Sequence, residues 1–444
     1  MDLPHSLHGR ALFALSPVIV ALCLVSCHIL LGLHELHAPA LCKQLDQAPS
    51  TSPSSALPPS KVFEDTGTIA AFHGLASAES TKSGTQGYIK IQQEIDVPSW
   101  ADHGTVLLNG WRLKYLSGDH HVAGLGTVIR NIRIDRDKLK WEAIGSISDD
   151  NFDDPYNWSY AFTVLLWNAA NISLAVDHFD GSCEPHDHRG HFYISDNKDT
   201  KDPVTTALSA FASFLGSGDF ASLRLTTVAP RGFGFVWDGG DDHHLLQLGY
   251  NLDHSEMFVE RDKKYKRQFD ELTPLANSPS RIGAGYASWQ TYALFKDDER
   301  RRDYVFGELV SGLAGNDLGV VQPPFAILPR DPPSACLDPT AVAQPQEFVV
   351  ENVPYRYAIP MLTGWELAYG CRGDQHVSEI GIWIDEIQYD PNAAGTLRYK
   401  LSSVLRDEDN KPGFLSNHKV TILGMRPVPP RSPATGAQPT QALP

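Results

Sequence analysis

Along most of this chain, apolar and polar side chains alternate one by one. Between Tyr88 and Val97, residues Ile89, Ile91, Ile95 and Val97 fall on one side, with Lys90, Gln92, Glu94 and Asp96 on the other. Trp111, Leu113 and Tyr115 repeat the alternation, as do Trp365, Leu367 and Tyr369. A period of two belongs to a strand with one buried and one wet face, whereas a helix repeats every 3.6 residues. Strands of this kind pair into antiparallel sheets. One stretch departs from the pattern. Asp202-Pro203 offers a capping residue and a first-turn proline, and Val204, Leu208, Phe211 and Leu215 share a helical face. That spacing predicts a short helix ending near Gly216.

The strands recur as a set. The string Asp119-His120-His121-Val122-Ala123-Gly124-Leu125-Gly126 is matched without a gap by Asp242-His243-His244-Leu245-Leu246-Gln247-Leu248-Gly249. A third copy reads Asp374-Gln375-His376-Val377-Ser378-Glu379-Ile380-Gly381. Upstream of each comes glycine, an aromatic residue and a second aromatic four positions on: Gly110-Trp111 to Tyr115, Gly232-Phe233 to Trp237, Gly364-Trp365 to Tyr369. Internal repetition of this kind implies one supersecondary unit used several times. The expected fold is therefore mainly β: three tandem, diverged β-sandwich-like modules with a short helical insert between the first and second.

The corresponding division assigns residues 1–40 to an export signal or membrane anchor and 41–84 to a Ser/Pro-rich linker and lead-in. Module one takes 85–172, a His-rich loop and helical insert 173–216, and module two 217–300. A connector spans 301–345, module three 346–426, and a disordered Pro-rich tail 427–444. The export reading rests on Arg10 followed by a nearly unbroken apolar run from Ala11 to Leu33. Ala38-Pro39-Ala40 offers a cleavage site, Leu24-Val25-Ser26-Cys27 resembles a bacterial lipobox, and the run is also long enough to stay as an anchor. Beyond that segment lie Cys42, Cys183, Cys336 and Cys371; the last two bracket the entry to module three and form the preferred pair.

The formal charge of −16 argues against a nucleic-acid partner, because a phosphate backbone would be repelled. The membrane is met through the N-terminal segment, and the other expected partner is an extracellular ligand or protein.

Candidate chemistry falls in three places. Asp119, His120, His121, Asp242, His243, His244, Asp374 and His376 carry carboxylate and imidazole groups suited to a ligand or a divalent cation. Against this, a string that recurs three times is expected to be a fold feature, with each second histidine buried and hydrogen-bonded inside its own module. His178, Cys183, His186, His188 and His191 crowd one loop and could hold zinc or copper, against the plainer reading of a solvated polar loop. Asp149, Asn151 and Asp153 open like a calcium loop but lack the glycine and distal glutamate of a complete one. No nucleophile elbow, phosphate loop or dinucleotide fingerprint is present, so no catalytic residue is assigned. The leading expectation is an exported, surface- or membrane-tethered protein that binds an extracellular carbohydrate, lipid or protein. Alternatives are a metal-dependent hydrolase using the Asp-His-His and His-rich loop residues, and an envelope component without a ligand; the cofactor considered is a divalent metal, calcium or zinc.

Overall fold

The computed structural model describes residues 50–51, 55–56, 58–80, 88–118, 120–149, 154–179, 208–214, 225–237, 244–259, 285–297, 304–322, 328, 345–371, 375–391, 395–407 and 413–428. The segments 1–40 and 429–444, and with them the expected export signal and most of the tail, lie outside the described residues. Strands β1 (Ser50–Thr51), β2 (Ser55–Ala56) and β3 (Ser60–Asp65) lead into three groups of six. The first group is β4 (Ile69–Glu79), β5 (Tyr88–Asp96), β6 (His103–Tyr115), β7 (Gly124–Asp135), β8 (Lys138–Ser148) and β9 (Tyr156–Trp167). The second is β10 (Ala175–Phe179), β11 (Leu208–Phe214), β12 (Leu225–Trp237), β13 (Leu245–Val259), β14 (Gly285–Asp297) and β15 (Tyr304–Ala314). The third is β16 (Leu318–Val321), β17 (Gln346–Val350), β18 (Tyr355–Tyr369), β19 (Glu379–Asp390), β20 (Thr396–Arg406) and β21 (Phe414–Pro427). Among the described residues there is no helix, and hence none long and apolar enough to cross a membrane.

Mainly β is correct, but the copies are not separate sandwiches. The three sheets run β1-β5-β8-β7-β12-β15-β10, β11-β14-β13-β18-β21-β16 and β17-β20-β19-β6-β9-β4-β2. Each draws its strands from two copies. The exchange closes on itself: β12 pairs with β7, β18 with β13, and β6 with β19. The register is the same at all three junctions, with Phe233 opposite Thr127, Trp365 opposite Tyr250, and Trp111 opposite Ile382. These partners are the residues following Gly126, Gly249 and Gly381, so the pairing has a pseudo-threefold pattern.

Two further expectations change. The helix expected to end near Gly216 is, over Leu208–Phe214, strand β11, antiparallel to β14. Its sequence LSAFASF also alternates, and an open sheet edge decides between the two periods. Strand pairing also draws the copies differently: β10 and β11, inside the 173–216 insert, open copy two. Strand β15, inside the 301–345 connector, closes copy two against β12.

The three junctions meet in an aromatic cluster. Trp111, Phe233 and Trp365 are at most 2% exposed, with ring centroids 5.0–5.2 Å apart. Just before each ring, a register shift in β6, β12 or β18 leaves one residue without a counterpart: Asn109, Arg231 and Thr363. All three are buried polar side chains, and each finds hydrogen bonds, because an unpaired buried donor or acceptor would cost about 1–3 kcal/mol. The Asn109 amide donates to Thr163 Oγ1 at 2.6 Å, Arg231 donates to the Val310 and Ile129 carbonyls, and the Thr363 hydroxyl lies 2.7 Å from that of Thr421.

His73 on β4 completes the row in copy one, opposite Thr163. One ring nitrogen lies 3.0 Å from the Ile384 carbonyl and the other 3.3 Å from the Thr163 hydroxyl. Burial disfavours the charged ring and lowers its pKa to about 4. The unfolded chain therefore takes up this proton near pH 6.5, while the folded chain resists until about pH 4. The stabilisation is complete above pH 6.5 and is lost as pH falls through that window, by about 3 kcal/mol in all. Denaturation midpoints of His73→Gln and the parent, measured from pH 7 to 4, are expected to converge on acidification. Parallel curves would show that His73 does not carry the effect.

Candidate metal centre

The repeated strings occupy the turns β6–β7, β12–β13 and β18–β19. Because the first strand of each turn pairs with the second strand of another copy's turn, cyclic pairing brings all three turns to one end of the axis. Local pairing then fixes them. Val122, Leu245 and Val377, each directly after a histidine, are buried at 1% exposure or less and anchor their turns in the core. His120 forms a β-bridge with Val377, with backbone hydrogen bonds of 3.3 and 2.9 Å. The Tyr369 hydroxyl donates to the His376 carbonyl at 3.3 Å.

The outcome is a triad of half-buried imidazoles, one from each copy. His121 Nε2 lies 2.6 Å from His376 Nε2 and 3.1 Å from His244 Nε2. Ring centroids are 4.2, 4.6 and 5.3 Å apart, and the three ligand atoms all lie within 4.8 Å of one another. Every one of these histidines meets the other two copies.

The geometry restricts the chemistry. A neutral imidazole nitrogen either carries one hydrogen or presents one lone pair. A single proton can bridge one edge of the triangle but not three. A divalent ion satisfies all three lone pairs together, and a set of three imidazoles is an established way of holding zinc with one coordination position open. Bond lengths of 2.0–2.1 Å to nitrogen imply ligand edges of about 3.3 Å, so the 2.6 Å edge has to open by several tenths of an ångström.

A second group stands beside the triad. His120 Nδ1 lies 3.0 Å from Asp154 Oδ2 and 3.5 Å from Asp149 Oδ2, and its Nε2 is 2.8 Å from the Ser117 carbonyl. Asp149, expected to open a calcium loop, thus meets a histidine; Asn151 and Asp153 lie outside the described residues. So do Asp119, Asp242, His243 and Asp374 of the strings, and Cys183, His186, His188 and His191 of the His-rich loop. His178 is described and belongs to the framework. It sits on β10 opposite Ser311, its Nδ1 2.9 Å from the hydroxyl, as His73 sits opposite Thr163. Sequence reasoning left out Asp154, just ahead of β9, as a partner of His120 in the β6–β7 turn.

The junctions beneath the triad are tied by charge where sequence allows. Arg112 of copy one forms an ion pair with Glu379 of copy three, which is 3% exposed. At the corresponding position of another junction, the Gln247 amide donates to the fully buried Glu366. No protein-family model matches the chain and no curated protein matches it in sequence.

Proposed function

We propose that this chain is an exported β protein that binds one divalent transition-metal ion through His121, His244 and His376. The observation that carries the reading is the convergence of three Nε2 atoms, with edges of 2.6 and 3.1 Å, from turns 255 residues apart at the extremes. Imidazole-only coordination favours borderline ions such as Zn2+, Cu2+ or Ni2+ over Ca2+ or Mg2+. The sequence led to a carbohydrate, lipid or protein as the extracellular ligand, with a metal as the alternative; the triad favours the metal, an ion held by three protein ligands.

The open coordination position favours a second reading, metal-dependent hydrolysis. An ion held by three imidazoles can lower the pKa of a bound water to about 7. Export is supported by Cys371, which is disulfide-bonded, since stable disulfides belong to oxidising compartments. Its expected partner Cys336 lies outside the described residues.

One preparation tests both parts. The full chain is expected in the non-cytoplasmic fraction of producing cells, with Cys371 oxidised, and is expected to take up one Zn2+ per molecule by calorimetry and elemental analysis. Acid should release the ion, because imidazole ligates only as the free base. Recovery solely from the cytosol with Cys371 reduced would overturn export. Failure to bind Zn2+, Cu2+ or Ni2+ at micromolar concentration would overturn the metal reading.

A further inference from the structure

Copies one and three present their histidines on turns of different length. Four residues separate Tyr115 from His120, whereas five separate Tyr369 from Gln375. In copy one, His120 ties the turn together. Its Nε2 donates to the Ser117 carbonyl at 2.8 Å, and its Nδ1 faces Asp154 and Asp149 at 3.0 and 3.5 Å. Copy three carries Gln375 at this position, and its longer turn has no such tie among the described residues. Gln375 is 7% exposed, and its Oε1 has no hydrogen-bond partner among them. What copy three has instead is Cys371, buried and disulfide-bonded. Other bonds hold the ends of the turn. Gly370 N donates to the Gly413 carbonyl at 2.8 Å, Tyr369 holds the His376 carbonyl, and Val377 N donates to the His120 carbonyl at 2.9 Å. Cys371 lies between those ends, five residues ahead of the ring that completes the triad.

We infer that the disulfide at Cys371 replaces the missing imidazole tie and positions His376, so that tight metal binding develops only in the oxidised chain. The role presupposes that His121, His244 and His376 hold the ion. A cross-link on the turn narrows the conformations open to its backbone, and fixing backbone is the main entropic cost of ordering a loop. Affinity falls in proportion as the competent placement of His376 becomes rarer. Oxidation passes two electrons and two protons from the thiols of Cys371 and its partner to a disulfide donor, which leaves as two thiols. A reducing cytosol withholds that step. The chain thus leaves the cytosol without its ion and acquires it on the oxidising side, where the turn is tied.

In the test, Zn2+ is titrated into the full oxidised chain against a chromophoric chelator, and one ion per molecule is expected. Cys371→Ser should bind about 10-fold more weakly, its freed partner thiol being capped with iodoacetamide so that no thiolate competes for the ion. Cys371→Ser/Gln375→His imports the tie of copy one, in which the ring reaches the backbone carbonyl three residues before it. Copy three also keeps a buried aspartate, Asp407, in the place of Asp149. This double variant should return to within about 3-fold of the parent's affinity, while its denaturation midpoint stays well below the parent's for want of the cross-link. Gln375→His with the disulfide intact should leave affinity within about 3-fold of the parent's, because the turn is already tied. Equal affinity of the parent and Cys371→Ser overturns the positioning role. So does a double variant that binds no more tightly than Cys371→Ser. A Gln375→His change that tightens the parent as much as it tightens Cys371→Ser also overturns it, since the new ring would then be a ligand. A parent that takes up no Zn2+ overturns the triad itself, before any variant is compared.

Discussion

Replacing His121 by alanine is expected to abolish tight metal binding without destabilising the metal-free protein. His121 is the shared vertex of the triad, 2.6 Å from His376 Nε2 and 3.1 Å from His244 Nε2. A four-ligand zinc site is worth about 10–16 kcal/mol, so each ligand contributes about 3–4 kcal/mol and its loss weakens binding about 10²–10³-fold. With the ion gone, a single proton can bridge only one edge of the triangle, so removing one ring forfeits little stability. The metal-free midpoint of His121→Ala should therefore lie close to the parent's, while the shift produced by saturating Zn2+ disappears. His376→Ala should behave alike. A purely structural triad gives the opposite result: a lower midpoint without metal, and unchanged metal content.

That contrast explains why the site was only half legible in the sequence. The threefold string was plain, and so was the period of two in Trp111, Leu113 and Tyr115. Treating each copy as an independent module made repetition an argument against a site, since one constellation does not need three incomplete versions. Cyclic pairing reverses the inference. If each copy brings one histidine to a common axis, the three strings are the constellation. Nothing in the residues announces that β6 pairs with β19 rather than closing its own sandwich, because backbone hydrogen bonding is blind to side-chain identity. A weak signal did exist in the polar residue before each glycine, in Asn109-Gly110-Trp111, Arg231-Gly232-Phe233 and Thr363-Gly364-Trp365. A buried polar position at the same place in three copies marks a bulge, and a bulge marks where a strand changes partner. The helical reading of Leu208–Phe214 failed for a related reason: a short apolar run fits both periods until an unpaired edge is known to be waiting.

The glycines of those three triplets support the second large prediction, a graded series in stability. Gly110 has φ of +144°, a conformation that side-chain-bearing residues rarely adopt, and a Cβ there would overlap the Trp383 backbone and come within 2.6 Å of the Ile382 carbonyl. At Gly232 the added atom would meet Val128 Cα at 2.6 Å and the Thr127 carbonyl at 2.7 Å. Both obstacles are backbone of the neighbouring copy and cannot move without separating β6 from β19 or β12 from β7. At Gly364 the nearest atom is the Asn251 side-chain oxygen at 2.6 Å, which can swing away. Strained φ and overpacking each cost about 1–3 kcal/mol, so Gly110→Ala, which incurs both, should lose about 3–5 kcal/mol. Gly232→Ala should lose about 2–3 kcal/mol, and Gly364→Ala about 1 kcal/mol. Urea midpoints of the three variants give the order directly. Gly110→Ala should also weaken Zn2+ binding, because the junction it opens is the one that sets His121 against His376, while Gly364→Ala should leave Zn2+ affinity nearly unchanged. Equal losses in all three variants, or a Gly110→Ala protein with the parent's midpoint, would show that the copies do not depend on close approach at the axis.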